Sequence, residues 1–509
     1  MSKATATTAN EKNKRVILNI ISGLSYQIAI AAFGLIIPRL YLVSFGSDVN
    51  GLNSTIKNIF AYLALLEAGV GLSAQYALYA PVAEGKTEDI NAILAATRKF
   101  YLKSSVIYTV LTVAFALLYP LVIQTSLSYF EVFVIILLYG IPGIILFSLR
   151  GKYNAFLEVE GKKYIISWLS TITFILSNIL RLAFLMISNN LLLIQATYCL
   201  PSVIQVVFVI FYVRKHYDWI NWKAEPNYSA LSQKGSVLVH QISNCIFSNT
   251  DTIIISFMCG MNYASVYAIY SLFFANFQKI ITSFSNGLTF KFGQMYQVER
   301  KRFDKEFSQY ESVFYLFLFW AYTVITAFLM PIIRLYTGGV ADADIYDNTW
   351  ILLLFAMWTV MTGIEIPLLQ LQSIAGKFDD TRNQAVIEMT INIVLSLIIT
   401  WWFGMSGCLI ATIIALFYRI NAMVLYVAKH ILQRSCMKTF KKIFVNTAVA
   451  IGVLIFLGTE SCEAVSYVYV MWRAVLNSFW IAMVFVIANL VTDFQEYYGL
   501  FQSIKSRFL

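Results

Sequence analysis

Residues 130–150 read FEVFVIILLYGIPGIILFSLR, an apolar run whose charges, Glu131 and Arg150, lie at its two ends. A helix needs about 20 mostly apolar residues to cross the hydrocarbon core of a bilayer, and this segment has that length. It lacks the alternation of apolar and polar residues that is typical of membrane barrel strands. The stretch therefore predicts a membrane-spanning α-helix.

Thirteen further stretches of this kind occur along the chain, which predicts an all-α integral membrane protein with about fourteen transmembrane helices. Only 13% of the 509 residues are charged, whereas soluble domains carry about 25% charged residues. Most of the surface is therefore expected to face lipid. The predicted spans are 17–44, 52–79, 100–123, 130–150, 163–187, 190–213, 236–259, 263–290, 308–336, 349–374, 384–403, 405–430, 443–459 and 465–491.

Lysine and arginine concentrate on one side of these predicted spans. Of the 37 basic residues, 30 lie in eight segments that share that side: 1–16, 80–104, 150–163, 213–234, 291–306, 377–382, 429–442 and 493–509. Loops rich in lysine and arginine face the cytosol, so both termini are predicted to be cytosolic in a multi-pass protein of the cytoplasmic membrane. The net charge of +10 then follows mostly from topology, and no nucleic-acid partner is expected.

The first twelve predicted spans form an internal repeat with an offset of about 214 residues. Matching positions are Gly46 with Gly260, Gly161-Lys162 with Gly376-Lys377, Asn178 with Asn392, and Pro120 with Pro331. Repeats with an even number of spans are parallel, related by an axis along the membrane normal. The sequence predicts a cytosolic N-terminus at 1–16, six-helix lobes at 17–230 and 231–432, and two more helices with a cytosolic tail at 433–509. Two such lobes rocking against each other are the architecture of a transporter.

Residues that support metal or nucleotide chemistry are scarce. The chain has 3 His and 6 Cys without a CxxC pair or a mixed cluster, so no metal site is predicted. A GxxxxGK[ST] loop, which cradles nucleotide phosphates, does not occur in the sequence. We therefore expect a transporter rather than an enzyme, with no cofactor, driven by a proton or Na⁺ gradient or by the gradient of its own substrate.

Twelve charged residues fall inside the predicted spans or at their ends. A charge at mid-bilayer costs at least about 2.5–3.5 kcal/mol, so each of these residues is a functional candidate. Near the middle of their spans lie Lys279, Arg419, Glu67, Asp251 and Glu365. In the outer third, where long side chains can reach the interface, lie Arg39, Lys57, Arg181, Arg334 and Arg473. Two acids, Glu311 and Glu388, lie near the cytosolic ends.

These positions predict a cationic central cavity, which would concentrate a phosphate or another anion. Its predicted substrate-binding residues are Arg39, Lys57, Arg181, Lys279 and Arg419. The acids predicted to couple transport to an ion are Glu67, Asp251 and Glu365. The alternatives are that Lys279 and Arg419 form buried ion pairs with midplane acids, and that the outer-third cations only anchor their helices.

Several stretches resemble the polysaccharide-unit (Wzx-type) flippases of the MOP superfamily, which also contains the MATE drug exporters and the lipid II flippases. In the first lobe they are residues 38–40 (PRL), 45–52 (FGSDVNGL), 65–72 (LLEAGVGL) and 75–79 (QYALY). In the second lobe they are 375–378 (AGKF), 382–384 (RNQ), 387–388 (IE), 392–393 (NI), 418–419 (YR), Tyr426 and 429–432 (KHIL). The resemblance is spread over both lobes, and this branch is similar to the lipid II flippases in having fourteen helices.

The resemblance implies a MATE-like fold and the transfer of an undecaprenyl-diphosphate-linked oligosaccharide across the membrane for O-antigen, capsule or another surface polysaccharide. It implies membrane lipids, a polysaccharide polymerase and chain-length machinery as partners. Arg39 and Glu67 match recurring motif positions, and Arg419 matches the Tyr-Arg position of span 12. The first span lacks the crowding of basic residues expected of lipid II flippases, which counts against that substrate.

Two other functions are considered. A MATE-like antiporter of drugs or organic cations would have a mostly acidic cavity and twelve spans, whereas basic residues are in excess here. A membrane glycosyltransferase or polymerase would need a large extracytoplasmic loop with charged residues. The longest predicted outer loop, 337–348, is too short for that role.

Overall fold

Every regular element formed by the described residues is a helix, as the continuous apolar runs predict. The computed structural model describes residues 9–66, 70–188, 190–221, 224–228, 235–458, 465–494 and 496–499. Its α-helices are α1 (Ala9–Ala64), α2 (Val70–Glu84), α3 (Thr87–Leu118), α4 (Tyr129–Ile145), α5 (Gly151–Val159), α6 (Lys163–Ile187), α7 (Leu191–Ala196), α8 (Cys199–His216), α9 (Gly235–Met258), α10 (Met261–Val298), α11 (Arg300–Thr337), α12 (Thr349–Ala375), α13 (Phe378–Tyr426), α14 (Met437–Leu457) and α15 (Tyr467–Thr492). Short π-helical turns follow α4 and α13.

The two longest helices are each broken by a glycine. Gly46 in α1 has φ 78° and Gly404 in α13 has φ 57°, a backbone region that residues with a side chain rarely adopt. Both breaks fall where the sequence predicts a boundary between two spans. After Gly404 the chain turns so tightly that a Cβ on Gly407 would lie 2.3 Å from the carbonyl oxygen of Ile399. The second half of α13 therefore returns beside the first half.

Ten helices in the described part of the chain are long and apolar enough to cross a membrane. Two of them, Ile17–Ala64 and Asp380–Ile431, contain 48 and 52 residues, more than twice the length that one crossing needs. The all-helical membrane architecture is confirmed, while the total of fourteen spans and the cytosolic termini stay predictions. One predicted span, 52–79, is interrupted, because α1 ends at Ala64 and a turn follows at Leu65 and Leu66.

The chain divides into two units, Met1–Asn249 and Thr250–Leu509. The division falls inside α9, whereas the predicted lobe boundary at 230/231 precedes that helix. In the first unit α1 packs on α6, and α3 packs on α4. In the second unit α12 contacts α10, α11 and α13. The second unit also includes α14 and α15, which both pack on α11.

A buried ionic network attaches the last two helices to α11. The fully buried carboxylate of Glu311 accepts hydrogen bonds from Arg434 at 2.5 Å, Lys442 at 3.0 Å and Thr439 at 2.9 Å. The amides of Asn446 in α14 and Asn489 in α15 are joined by two hydrogen bonds of 3.2 and 2.9 Å. The C-terminal helices are thus fixed to the second unit by polar contacts as well as by apolar packing.

Replacing Glu311 by alanine should strongly destabilise the second unit. The substitution leaves Arg434 and Lys442 without their carboxylate, and breaking such a buried pair costs about 3–5 kcal/mol. Glu299→Ala is the matched control, because its ion pair with Arg302 is half-exposed and is worth at most about 1 kcal/mol. Thermal unfolding of the purified protein in detergent measures both effects. Equal shifts in the two variants would contradict the structural role assigned to Glu311.

Candidate functional site

A carboxylate without a basic partner is buried in the second unit. Asp251, in α9, is 1% exposed. One of its oxygens, Oδ2, accepts hydrogen bonds from Thr412 Oγ1 at 2.8 Å and from Tyr267 Oη at 3.3 Å, and no described lysine or arginine pairs with it. A carboxylate in such a site is stabilised by taking up a proton or by binding a metal cation.

The break at Gly404 places both halves of α13 against this carboxylate. Asn392, before the break, donates from Nδ2 to Oγ1 of Thr412, after the break, at 2.9 Å. The Cys408 sulfur lies 4.0 Å from the backbone carbonyl oxygen of Asp251. The helical reversal thus brings together groups that are distant in sequence around a single negative charge.

Four buried oxygens in this region have no hydrogen-bond partner among the described residues. They are Asp251 Oδ1, Asn392 Oδ1, Ser396 Oγ and Thr400 Oγ1. Buried polar atoms are nearly always satisfied in proteins, and exceptions point to a bound ion, water or a functional role. Carboxylate, amide and hydroxyl oxygens are ligands for hard cations. The described residues contain no group of three His, Cys, Asp or Glu side chains that could hold a metal, so one carboxylate and neutral oxygens form this site.

A second buried cluster joins three helices of the same unit. Arg419, in the second half of α13 and 2% exposed, has its Nε 3.1 Å from Oε1 of Glu365 in α12 and 3.5 Å from Oε2 of Glu388 in the first half of α13. Its Nη1 lies 3.5 Å from the carbonyl oxygen of Thr381. Two carboxylates therefore share one guanidinium. This geometry favours the ion-pair alternative for Arg419 over an uncompensated cation in a cavity.

Sequence reasoning missed the role of Glu388. Its distance from the end of the span placed it within reach of water, but its side chain is only 13% exposed. The glutamates come from different helices, so no local spacing in the sequence reveals that they share Arg419. The match of residues 387–388 to the flippase pattern was the one signal that pointed to this acid.

The first unit holds a buried cation without a carboxylate. Arg181, in α6, is 4% exposed. It donates from Nε to Thr197 Oγ1 at 3.2 Å and from Nη1 to Asn178 Oδ1 at 2.9 Å, and its guanidinium lies 3.6 Å from the ring centroid of Tyr198. No described acid pairs with it. Arg181 therefore does not reach out to the membrane surface, in contrast to the anchoring alternative.

The clusters around Arg181 and Asp251 occupy matching positions of the internal repeat. Asn178 and Asn392 are 214 residues apart, and Thr197 and Thr412 are 215 residues apart. In the first unit the asparagine and threonine oxygens hold the guanidinium of Arg181. In the second unit the same two residue types adjoin Asp251, and Asn392 Oδ1 has no described partner. A cation bound beside Asp251 would occupy the place that Arg181 fills in the first unit.

The remaining predicted residues are spread over both units. Lys57 and Lys279 are exposed, and neither forms an ion pair among the described residues. Arg39 is half-buried in α1. Glu67 lies outside the described residues. Of the other outer-third cations, Arg473 is exposed, while the guanidinium of Arg334 holds Asp347 through bonds of 2.8 and 3.0 Å, which agrees with an anchoring role.

The chain shares its fold with solved transporters. It is similar to the lipid II flippase MurJ in an inward-closed conformation, with a TM-score of 0.70 and 15% identity over 95% of this chain and 100% of that chain. It is also similar to an inward-facing multidrug resistance MATE transporter of the MOP superfamily, with a TM-score of 0.57 and 11% identity over 87% and 98% of the two chains. For the MATE transporter VcmN of Vibrio cholerae the values are 0.54, 14%, 83% and 98%.

No family model matches the sequence, and no curated protein matches it. At identities of 11–15% the likeness establishes the fold alone. The chain therefore has the MOP transporter fold, and the sequence prediction of that fold is confirmed.

Replacing Arg419 by glutamine should lower stability, because Glu365 and Glu388 would then share a buried site without a cation. The expected loss is about 3–5 kcal/mol, read as a lower melting temperature of the purified protein. Adding Glu388→Gln to the same chain should restore part of the loss. Arg473→Gln is the control, since that arginine is exposed. A melting temperature unchanged by Arg419→Gln would mean that the cluster is not held together by its charges.

Proposed function

We propose that the protein is a flippase that moves an undecaprenyl-diphosphate-linked oligosaccharide across the cytoplasmic membrane for surface polysaccharide synthesis. The observation that carries the proposal is a MOP transporter fold combined with membrane-located cations that have no carboxylate partner. The flippase-like stretches of sequence in both lobes favour the glycan branch of that superfamily.

The available positive charge is what suits a diphosphate. Arg181 has only neutral ligands, and Lys57 and Lys279 are exposed without an ion pair in the described residues. Such cations keep their charge available for an anion, whereas the charge of Arg419 is matched by two carboxylates. Lysine acts on phosphate as a point charge and arginine as a planar fork. A cationic cavity assembled from these residues remains a prediction.

The same fold leaves a MATE-like antiporter of organic cations as the second candidate, and the unpaired carboxylate of Asp251 is the observation that favours it. That carboxylate is 1% exposed, which leaves room for an inorganic ion but not for a drug-sized cation. The geometry of Asp251 is therefore better suited to binding a coupling ion than to binding an organic substrate.

We assign ion coupling to Asp251. Its cluster matches the Arg181 cluster of the first unit, except that the fixed positive charge is replaced by a carboxylate and unpaired oxygens. A proton or Na⁺ would supply the missing positive charge at that position. Binding of the ion then changes the charge of the second unit by one, which is how an ion gradient can bias a conformational equilibrium.

Lys279→Gln should reduce flipping while the protein remains folded. Loss of one charge-assisted contact to phosphate, worth about 1.5–3 kcal/mol, corresponds to roughly a 10- to 100-fold lower rate. Surface polysaccharide and accumulated lipid-linked precursor, measured in cells that lack the wild-type protein, report the effect. Lys279→Arg should retain activity, and Arg473→Gln is the matched control with an exposed cation. Normal polymer levels in Lys279→Gln with normal protein levels would contradict an anionic substrate at this residue.

Asp251→Asn should abolish the dependence of transport on the ion gradient. The amide is nearly the same size but carries no charge and releases no proton, so neither a proton nor Na⁺ gains energy by binding there. Transport of the lipid-linked glycan in vesicles, with and without a proton or Na⁺ gradient, is the measurement. Asp344→Asn serves as the control, because that acid is exposed in a loop. Unchanged gradient dependence in Asp251→Asn would exclude this residue from coupling.

The second candidate is tested in the same cells. If the protein were a drug antiporter, its deletion would sensitise the cells to cationic dyes and leave the lipid-linked precursor at its normal level. The flippase proposal expects accumulation of the precursor and unchanged dye sensitivity.

A further inference from the structure

A cavity of about 660 Å³ opens in the second unit beside the break in α13. Its lining includes Cys259, Tyr263, Thr400, Trp401 and Gly404, and no lysine, arginine, aspartate or glutamate contributes to the wall. The ends of α9 and the first half of α13 and the starts of α10 and α12 meet here. The sequence predicts that these helix ends lie on the extracytoplasmic side.

A row of polar side chains leads from this cavity into the membrane interior. Thr400, Ser396 and Asn392 follow one another at intervals of four residues along one face of α13. Four residues of α-helix rise about 6 Å, so the row covers about 12 Å. Thr400 lines the cavity at one end. At the other end Asn392 contacts Thr412, which holds the carboxylate of Asp251.

The hydroxyl groups in this row are not engaged in the usual way. Serine and threonine inside helices commonly donate to the carbonyl four residues before them, as Thr390 of the same helix does to Val386 at 2.8 Å. Ser396 and Thr400 make no such bond and have no other described partner, although both residues are almost fully buried. Their oxygens thus remain available to a ligand that moves along the row.

We infer that the cavity and this row of oxygens form the access route by which an inorganic monovalent cation reaches Asp251 from the extracytoplasmic side. The inference rests on the proposed coupling role of Asp251 and adds the path to it. The route ends in one negative charge, and its walls offer only neutral oxygens and apolar groups. An anion is repelled by that charge, and a larger organic ion cannot follow the buried row.

The natural Cys408 provides the reporter for this route. Its sulfur adjoins Asp251 and lies beside Ser396 and Thr400, so a reagent must travel the whole row to modify it. The test uses a chain in which Cys408 is the sole cysteine, the other five having been changed to alanine. It compares cationic 2-aminoethyl methanethiosulfonate with anionic 2-sulfonatoethyl methanethiosulfonate, with modification followed by intact-protein mass spectrometry.

The cationic reagent should react faster than the anionic one by about tenfold or more, as expected for a passage with one sign of charge. Asp251→Asn should remove that preference. Thr400→Phe should block modification, whereas the matched substitution Thr390→Phe, on the exposed face of α13, should leave it unchanged. If Thr400→Phe does not accumulate in the membrane, Ser396→Leu obstructs the same row. In spheroplasts the reagent should act from outside.

Competition identifies the cation. Slower modification in the presence of Na⁺, at constant ionic strength set with choline, assigns the route to Na⁺. Protection by mild acid without an effect of Na⁺ assigns it to protons. Equal rates for the two reagents, or an equal effect of Thr390→Phe and Thr400→Phe, would overturn the route.

The outcome separates the route from the proposed function. If Cys408 stays unmodified by either reagent while glycan transport still depends on the gradient and on Asp251, the route is wrong and the coupling role stands. If Cys408 reacts as expected but the lipid-linked precursor does not accumulate in the deletion strain, the route stands and the glycan substrate is wrong.

Discussion

The cost of an uncompensated charge in the hydrocarbon core decides how this protein is organised. A buried ion must be paired, ligated or neutralised, and the described charges in the spans fall into those classes. Glu311 has two cations and Arg419 has two carboxylates. Arg181 has amide, hydroxyl and aromatic ligands. Asp251 has only hydroxyl donors and one oxygen without a described partner. The degree of compensation thus separates structural charges from those available for transport.

This ranking also distinguishes the acids that the sequence groups together. Asp251 and Glu365 are both predicted as coupling residues from their depth, yet Glu365 lies beside a guanidinium and Asp251 does not. A carboxylate that already has a cation gains less from binding another one. Coupling therefore belongs more naturally to Asp251, while the Glu365–Arg419–Glu388 cluster joins α12 to the two halves of α13.

Much of the fold follows directly from the sequence, because one-dimensional properties determine it. Apolar runs specify helices, and the breaks at Gly46 and Gly404 fall where one predicted span ends and the next begins. Depth in the membrane can be counted along a helix, which placed Arg419 and Asp251 correctly in the interior. The face on which a side chain lies cannot be counted in this way. Arg181 was for that reason given a snorkelling alternative, although its side chain points into the first unit.

Contacts between helices were beyond sequence reasoning for the same reason. The sharing of Arg419 by two glutamates and the row from Thr400 to Asn392 depend on how α13 folds back at Gly404. The repeat offered one clue, since Asn178 and Asn392 were already matched by their spacing. What could not be read from that match is that one asparagine holds a cation and the other adjoins an acid.

That difference between the repeats has a mechanistic consequence. Around Asn178 and Thr197 the positive charge is covalently fixed in Arg181, so the first unit keeps the same charge throughout a transport cycle. Around Asn392 and Thr412 the positive charge must come from solution, so the second unit changes its charge whenever a cation binds or leaves. Only differential binding to two conformations can convert a gradient into directed movement, and a fixed charge cannot provide it. The repeat thus supplies both parts that coupled transport of an anion requires, a permanent cation in one unit and an exchangeable one in the other.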